Sequence, residues 1–351
     1  MTANVDIQPF SLPLIHPLST ASGTIDERDG FIIRIATDGV VGIGEAAPLD
    51  GWTERKETCR EELTRVAAMA QHMNPREIRL NQAAPAARHG ITLALMDAAA
   101  KIETLSLSEY LAGEQADVSV PVHATIGDES IEETVIQAKQ AIATGFQTIK
   151  VKVGGKSTQV DCERIQLLRD AVGPDVNIRL DANRAWTLDE ARHIFTVAAE
   201  EAIEYIEEPL ATPDSEAIKE LSHYDVCIAA DESLSMHSGK FAIAEFEHYD
   251  VFILKPMILG GIDAAISVAK KAREHHIESV VSNTIDSSIA RTAALHLAAA
   301  LPDTTTAGLA TGDRLASDIG EEVTPVTDGR IALPMGAGIG IRPLEEECTD
   351  E

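Results

Sequence analysis

Thr148-Ile149-Lys150-Val151-Lys152-Val153-Gly154 is the stretch around which the chain is organised. Read as a β-strand, it sends Lys150 and Lys152 to one face and Val151 and Val153 to the other. Two ammonium groups side by side at the end of an apolar strand repel one another unless anions meet them. A cationic neighbour and partial desolvation both lower a lysine's pKa, and a lysine so tuned acts as a general base near neutral pH. Taken alone, the stretch reads equally well as two surface lysines reaching into solvent. The chain on either side decides between these readings.

Outward from this stretch, one pattern recurs. Short apolar runs at 120–126, 148–153, 177–183, 205–210, 226–233, 251–256, 278–285 and 306–311 alternate with helical patterns such as 131–143 and 188–201. Eight strands alternating with helices predict a parallel β/α barrel. A doubly wound open sheet would want a glycine-rich turn after its first strand, and none is present. Upstream, residues 5–50 are β-rich, with runs at 31–35 and 40–44 joined by Thr37-Asp38-Gly39, a hairpin signal. Residues 19–30 and 45–52 read as loops, and 53–73 and 86–103 carry helical periodicity, as at Leu93, Met96 and Ala100. The expected organisation is an α+β capping domain over 1–105, completed by about 315–351, and a barrel domain over 119–314.

Composition narrows the function. The 351 residues are 44% hydrophobic, which suits a globular chain, and no apolar run reaches the length of a membrane span. A net charge of −28, from 57 acidic and 29 basic residues, repels nucleic acid and anionic membranes. The acids are dispersed and lysine is scarce, which suggests adaptation to high salt. Cys59, Cys162, Cys227 and Cys348 form no CxxC pair, and no signal peptide is visible at the N-terminus. A reducing cytoplasm is the expected compartment. Homo-oligomerisation stays open.

Barrel enzymes carry their chemistry at the carboxyl ends of the strands. Here four successive runs end in Arg179-Leu-Asp-Ala-Asn183, Ile206-Glu-Glu-Pro209, Ala229-Ala-Asp-Glu-Ser233 and Ile253-Leu-Lys-Pro256. Asp181, Glu207 and Asp231 would repel one another without a cation. Oxygen-only ligands on a rigid scaffold suit Mg²⁺, and the lack of His or Cys at these positions disfavours zinc. Singly, each carboxylate is more simply a salt-bridge partner; three in register, flanked by lysines, are not.

The ordered set Lys150-Val-Lys152, Asp181-Ala-Asn183, Glu207-Glu-Pro209, Asp231-Glu-Ser233 and Lys255-Pro256 resembles the enolase superfamily, in its muconate-lactonizing-enzyme-like subgroup. The resemblance covers nearly the whole chain and implies an α/β fold, a modified TIM barrel of (β/α)₇β type with an α+β cap. It further implies that Asp181, Glu207 and Asp231 bind Mg²⁺, with Mn²⁺ as the alternative ion. Lys152 and Lys255 would face each other across a small carboxylate substrate, and Lys150 would tune Lys152. The chemistry would be removal of a proton α to a carboxylate, with the metal stabilising the enediolate.

Within the subgroup, Arg28-Asp-Gly-Phe31, Gly42-Ile-Gly-Glu-Ala-Ala-Pro-Leu-Asp-Gly-Trp52 and Gly308-Leu-Ala-Thr-Gly-Asp313 look like o-succinylbenzoate synthases. That implies a lyase performing the syn dehydration that yields o-succinylbenzoate in menaquinone biosynthesis. The alternatives are N-acylamino acid racemase, dipeptide epimerase and muconate cycloisomerase. Dipeptide epimerases carry an Asp-x-Asp on the eighth strand to hold the substrate's ammonium, and this chain lacks it. Asn183, Ser282, Thr284, Gly312 and Trp52 are the expected substrate contacts, with Thr20 to Ser22 on a second closing loop.

Overall fold

The computed structural model describes residues 3–20, 23–113, 116–235, 242–302, 305–320 and 324–341. Cys348 and, on the expected closing loop, Ala21 and Ser22 lie outside them. The chain begins with β1 (Asn4–Thr20), β2 (Gly23–Thr37) and β3 (Val40–Ala46), paired antiparallel in that order. Asp38 at φ 50° and Gly39 at φ 81° make the two-residue turn between β2 and β3. The loop expected over 19–30 is instead strand from Gly23 onward: β1 pairs with it from Thr20↔Gly23 to Phe10↔Gly30. Backbone pairing to a long partner strand overrides the polar, β-poor composition of that stretch.

Helices α1 (Lys56–Ala70), α2 (Pro85–Ile102) and α3 (Leu107–Ala112) complete the cap. α2 rides directly on β3. A Cβ on Gly42 would lie 1.9 Å from the Ala94 carbonyl oxygen, and one on Gly44 would lie 2.0 Å from that of Gly90. The alternating glycines therefore let helix and sheet backbones meet.

The second unit holds β4 (Ser119–Pro121), β5 (Ala124–Ile126), β6 (Thr148–Lys152), β7 (Asn177–Asp181), β8 (Tyr205–Glu207), β9 (Cys227–Ala230), β10 (Val251–Leu254) and β11 (Glu278–Val281). β5 to β11 are parallel neighbours in chain order. The run at 306–311 contributes single parallel bridges, Val122↔Ala307 and Ser282↔Gly308, and these join the first strand to the last. The ring therefore has eight positions, and β6 and β10, second and sixth, stand across it from one another. Around it lie α4 (Ile131–Ala143), α5 (Thr158–Val172), α6 (Leu188–Glu200), α7 (Ser215–Leu221), α8 (Glu232–Ser235), α9 (Pro256–Leu259), α10 (Ile262–Glu274) and α11 (Ser288–Ala300).

The chain beyond the barrel touches both units. β12 (Val326–Thr327) and β13 (Arg330–Ala332) extend a sheet from β4, while Leu315 bridges Leu14 and Gly338 bridges Ser106. Among the described residues, no helix is long and apolar enough to cross a membrane, and Cys59, Cys162 and Cys227 are free thiols.

Candidate active site

Strand register assembles the site. Lys152 on β6 pairs with Asp181 on β7, Asp181 with Glu207 on β8, and Glu207 with Ala229 on β9. Asp231 lies two residues past Ala229, and Lys255 directly follows β10. Side-chain parity places Lys150 and Lys152 on one face, and both ammonium groups reach Asp181 Oδ2, at 2.9 and 2.7 Å. Lys150 also meets Glu207 Oε2 at 2.6 Å. Across the ring, Lys255 Nζ pairs with Asp231 Oδ2 and sits 4.8 Å from the centre of the Trp52 ring. Trp52 belongs to the cap, so the cap supplies one wall of the site.

Burial decides the electrostatics. Asp181, Glu207 and Asp231 are all buried. For Asp181, burial disfavours the charged form, but Lys150 and Lys152 outweigh it and hold the carboxyl well below the usual range. Glu207 goes the other way: burial and then the Asp181 charge push it up to about 8, against the pull of Lys150. Burial works against the Lys150 charge, yet Asp181 and Glu207 hold that ammonium well above the ordinary lysine value. Lys255 is likewise raised against burial, first by Asp231. Lys150 is thus placed as counter-ion to two carboxylates. Lys152 keeps 36% of its side chain exposed against 10% for Lys150, so Lys152 is the one open to a substrate.

Of the expected substrate contacts, Asn183 turns toward the lysine. Its Oδ1 accepts from Lys152 Nζ at 2.6 Å. Ser282 Oγ donates to the Gly308 carbonyl at 3.2 Å, and Thr284 Oγ1 donates to Asp286 at 2.5 Å. Both hydroxyl protons are used within the protein, which leaves only oxygen lone pairs for a ligand. Gly312 abuts Arg291: a Cβ there would fall 2.9 Å from the guanidinium carbon. Thr20 lies in β1.

Several residues that hold the site together escaped the sequence reading. Glu208 is buried beneath the mouth and accepts from the backbone N–H groups of Asp231 and Ser233, at 2.9 and 2.6 Å. Its other oxygen takes Arg184 Nε at 2.9 Å and the Ser233 hydroxyl at 3.0 Å. This hub fixes the loop carrying Asp231. Glu232 accepts from Asn183 Nδ2 at 3.1 Å, and burial with the neighbouring Asp231 charge pushes its carboxyl up to about 7. On the cap side, Arg28 donates to the carbonyls of Ala47, Pro48 and Ile285, tying the Trp52 loop to the loop after β11. Glu45, also buried, accepts from the N–H groups of Ser287 and Ala290 and so caps α11. Backbone strain, visible only in the structure, marks the loops after β7, β8 and β11. Asn183, Arg184, Glu208 and Ile285 all have positive φ, between 42° and 64°, a costly conformation for such residues and one that clusters at functional sites.

Among the described residues, no three His, Cys, Asp or Glu side chains stand close enough together to hold an ion as they are. The lysines draw the carboxylates instead. The donor set nevertheless fits a hard divalent cation. The ligands would be oxygens from three adjacent strands, Glu207 Oε1 is buried without a hydrogen-bond partner, and burial with the Asp181 charge presses Glu207 toward its neutral form, which a bound cation would oppose.

Comparison with known proteins agrees with this geometry. Residues 4–112 match the N-terminal domain of the mandelate racemase / muconate lactonizing enzyme family, and residues 133–347 match the enolase C-terminal domain-like family. An L-Lys-D/L-Arg epimerase of Methylococcus capsulatus is 31% identical over 97% of this chain and 98% of its own. A chloromuconate cycloisomerase of Pseudomonas sp. is 28% identical, covering 94% and 93% of the two chains. A dipeptide epimerase of Enterococcus faecalis, solved with Mg and the dipeptide L-Leu-L-Tyr, superposes with a TM-score of 0.87 at 29% identity, over 97% of this chain and 99% of that one. Register, carboxylates and lysines thus stand on a scaffold shared over nearly its whole length with epimerases and a cycloisomerase, and the chain belongs to the enolase superfamily as one of its enzymes.

Proposed function

We propose that this enzyme, with Mg²⁺, removes the proton α to a carboxylate and returns one from the opposite face, racemising or epimerising an N-acylated amino acid. The observation that carries the reading is the placement of two lysines, Lys152 and Lys255, on barrel positions two and six, with Asp181, Glu207 and Asp231 on the strands between or beside them. Asp181, Glu207 and Asp231 would hold the ion, and their oxygen donors match its preference. When bound, the ion neutralises negative charge developing on the substrate carboxylate.

The remaining work falls to this chain's own groups. Lys152, open to the mouth, accepts the α-proton; Lys255 delivers one from the other side. Trp52 lies over the Lys255 ammonium at 4.8 Å, ring against charge. The relatives' names favour this isomerase reading over dehydration. The eighth strand narrows the substrate: Gly308–Asp313 offers no Asp-x-Asp for a free ammonium, so an acylated nitrogen suits it better than the free amino end of a dipeptide. The purified protein with Mg²⁺, offered N-succinyl amino acids, dipeptides, muconate and the o-succinylbenzoate synthase substrate side by side, tests the reading. Turnover of the synthase substrate alone would overturn it.

Syn dehydration is the second reading, favoured by one observation. Lys255 is clamped between Asp231 and the Trp52 ring, as a fixed cation beside an enediolate would be. Lys255→Arg separates the two. Arginine keeps the charge but gives up no proton at these pH values. A dehydratase should retain a larger share of its activity than a racemase, in which solvent deuterium exchange into one enantiomer should survive and into the other should vanish. Exchange of both enantiomers by the variant would refute the two-base assignment.

We further read the dispersed acidic surface, net −28, as adaptation to high salt. Screening of this self-repulsion should raise the thermal midpoint as KCl goes from low to molar concentration. A midpoint indifferent to KCl would refute that.

A further inference from the structure

We infer that Glu232, through Asn183, is a positioning residue that aims the nitrogen of Lys152 at the substrate. The inference rests on the reading of Lys152 as a proton-transferring base. Lys152 Nζ has two protein acceptors, Asp181 Oδ2 at 2.7 Å and Asn183 Oδ1 at 2.6 Å. A neutral amine has two N–H bonds and one lone pair. With both hydrogens committed to these acceptors, the lone pair takes the remaining tetrahedral direction, toward the open mouth. Once protonated, the same nitrogen holds its third hydrogen along that direction. One geometry thus serves proton removal and proton return.

The arrangement works only if Asn183 shows Lys152 its oxygen. Asparagine can flip, exchanging oxygen for the amide nitrogen at little steric cost. Glu232 forbids the flip. Its Oε1 accepts from Asn183 Nδ2 at 3.1 Å, and while ionised Glu232 cannot donate to an amide oxygen. In the flipped form, Nδ2 would face the lysine and Oδ1 would face the carboxylate, so both contacts would be repulsive. The backbone cooperates. Asn183 sits at φ 42°, a strained turn out of β7, and its own N–H donates to Asp181 Oδ1 at 3.2 Å. Glu232 therefore acts at one remove from the substrate, from the end of β9 across β8 to the end of β7.

The test is a polarity swap, read by solvent deuterium exchange at the α-carbon with each enantiomer of N-succinylphenylalanine as first probe. Glu232→Gln is isosteric but can present either a donor or an acceptor, so Asn183 is freed to flip. Asn183→Asp keeps an acceptor for Lys152 but faces Glu232 with like charge. Each single variant should lower exchange of the enantiomer that Lys152 deprotonates by about tenfold, with kcat falling more than KM changes, and should leave the Lys255-dependent enantiomer within about threefold. In the double variant, the amide introduced at position 232 can donate to the carboxylate introduced at position 183, whose other oxygen accepts from Lys152. Exchange should return to within about threefold of the parent, a strong coupling between the two positions. Equal loss of exchange in both enantiomers, or additive losses in the double variant, would overturn the inference. If the double variant does not fold, the enantiomer selectivity of Glu232→Gln decides alone. Lys152→Ala separates the layers: exchange of both enantiomers surviving there refutes the base assignment, whereas loss of one enantiomer's exchange there beside an additive cycle refutes only the role of Glu232.

Discussion

Lys152→Ala should lose about 10³-fold or more in turnover of every substrate that the parent accepts, because general acid–base catalysis by a positioned side chain contributes on that scale. The fold should survive. Lys152 lies at the rim of the barrel with 36% of its side chain exposed, and its removal opens no apolar cavity. Its loss leaves Asp181 still paired with Lys150 at 2.9 Å, so no buried carboxylate is stranded. The thermal midpoint should therefore stay close to the parent's while activity disappears. A variant that retains turnover would refute Lys152 as the base. One that loses activity only because it unfolds would show up in the melting curve.

Chelation should have an effect of similar size with a different signature. Removal of Mg²⁺ takes away the charge that stabilises the developing anion, and loss of comparable electrostatic stabilisation costs about 10²–10³-fold or more in kcat. The protein should not collapse, because the metal-free carboxylates already have lysine partners: Asp181 and Glu207 with Lys150, and Asp231 with Lys255. Added Mg²⁺ should restore activity and also raise the thermal midpoint, since a ligand bound only by the folded state stabilises it by about 2.7 kcal/mol at one hundred times its dissociation constant. Asp231→Asn should reproduce the chelated enzyme and need far more Mg²⁺ for the same thermal shift. Full activity in excess chelator, or a midpoint unmoved by Mg²⁺ in the parent, would refute the metal assignment.

The core of the site was legible in the chain because β/α periodicity converts sequence position into place. Once the runs at 148–153, 177–183, 205–210, 226–233 and 251–256 are read as parallel strands, their carboxyl ends share one rim. Lys150, Lys152, Asp181, Glu207, Asp231 and Lys255 must then gather there. Strand parity also puts Lys150 and Lys152 on one face, and both do reach Asp181. The hairpin at Asp38-Gly39 was legible for a related reason: two positive φ values in a row are tolerated by few residue pairs.

What the tertiary structure alone decided are the contacts that follow neither periodicity nor parity. The stretch over 23–30 reads as a loop by composition, yet it is strand, because the partner that fixes it is β1 and that pairing is not encoded locally. Glu207-Glu208 looks like two alternating strand residues. The backbone turns to φ 44° at Glu208 and buries its carboxylate beneath Asp231 and Ser233. Likewise Asn183, by sequence a substrate contact, is turned by its left-handed backbone toward Lys152 and Glu232. Arg28 and Glu45 join the cap to residues more than two hundred positions away. The residues proposed to perform chemistry were written in the strand repeat. Those that aim them depend on strained turns and long-range hydrogen bonds, whose partners are chosen only when the barrel closes and the cap docks on it.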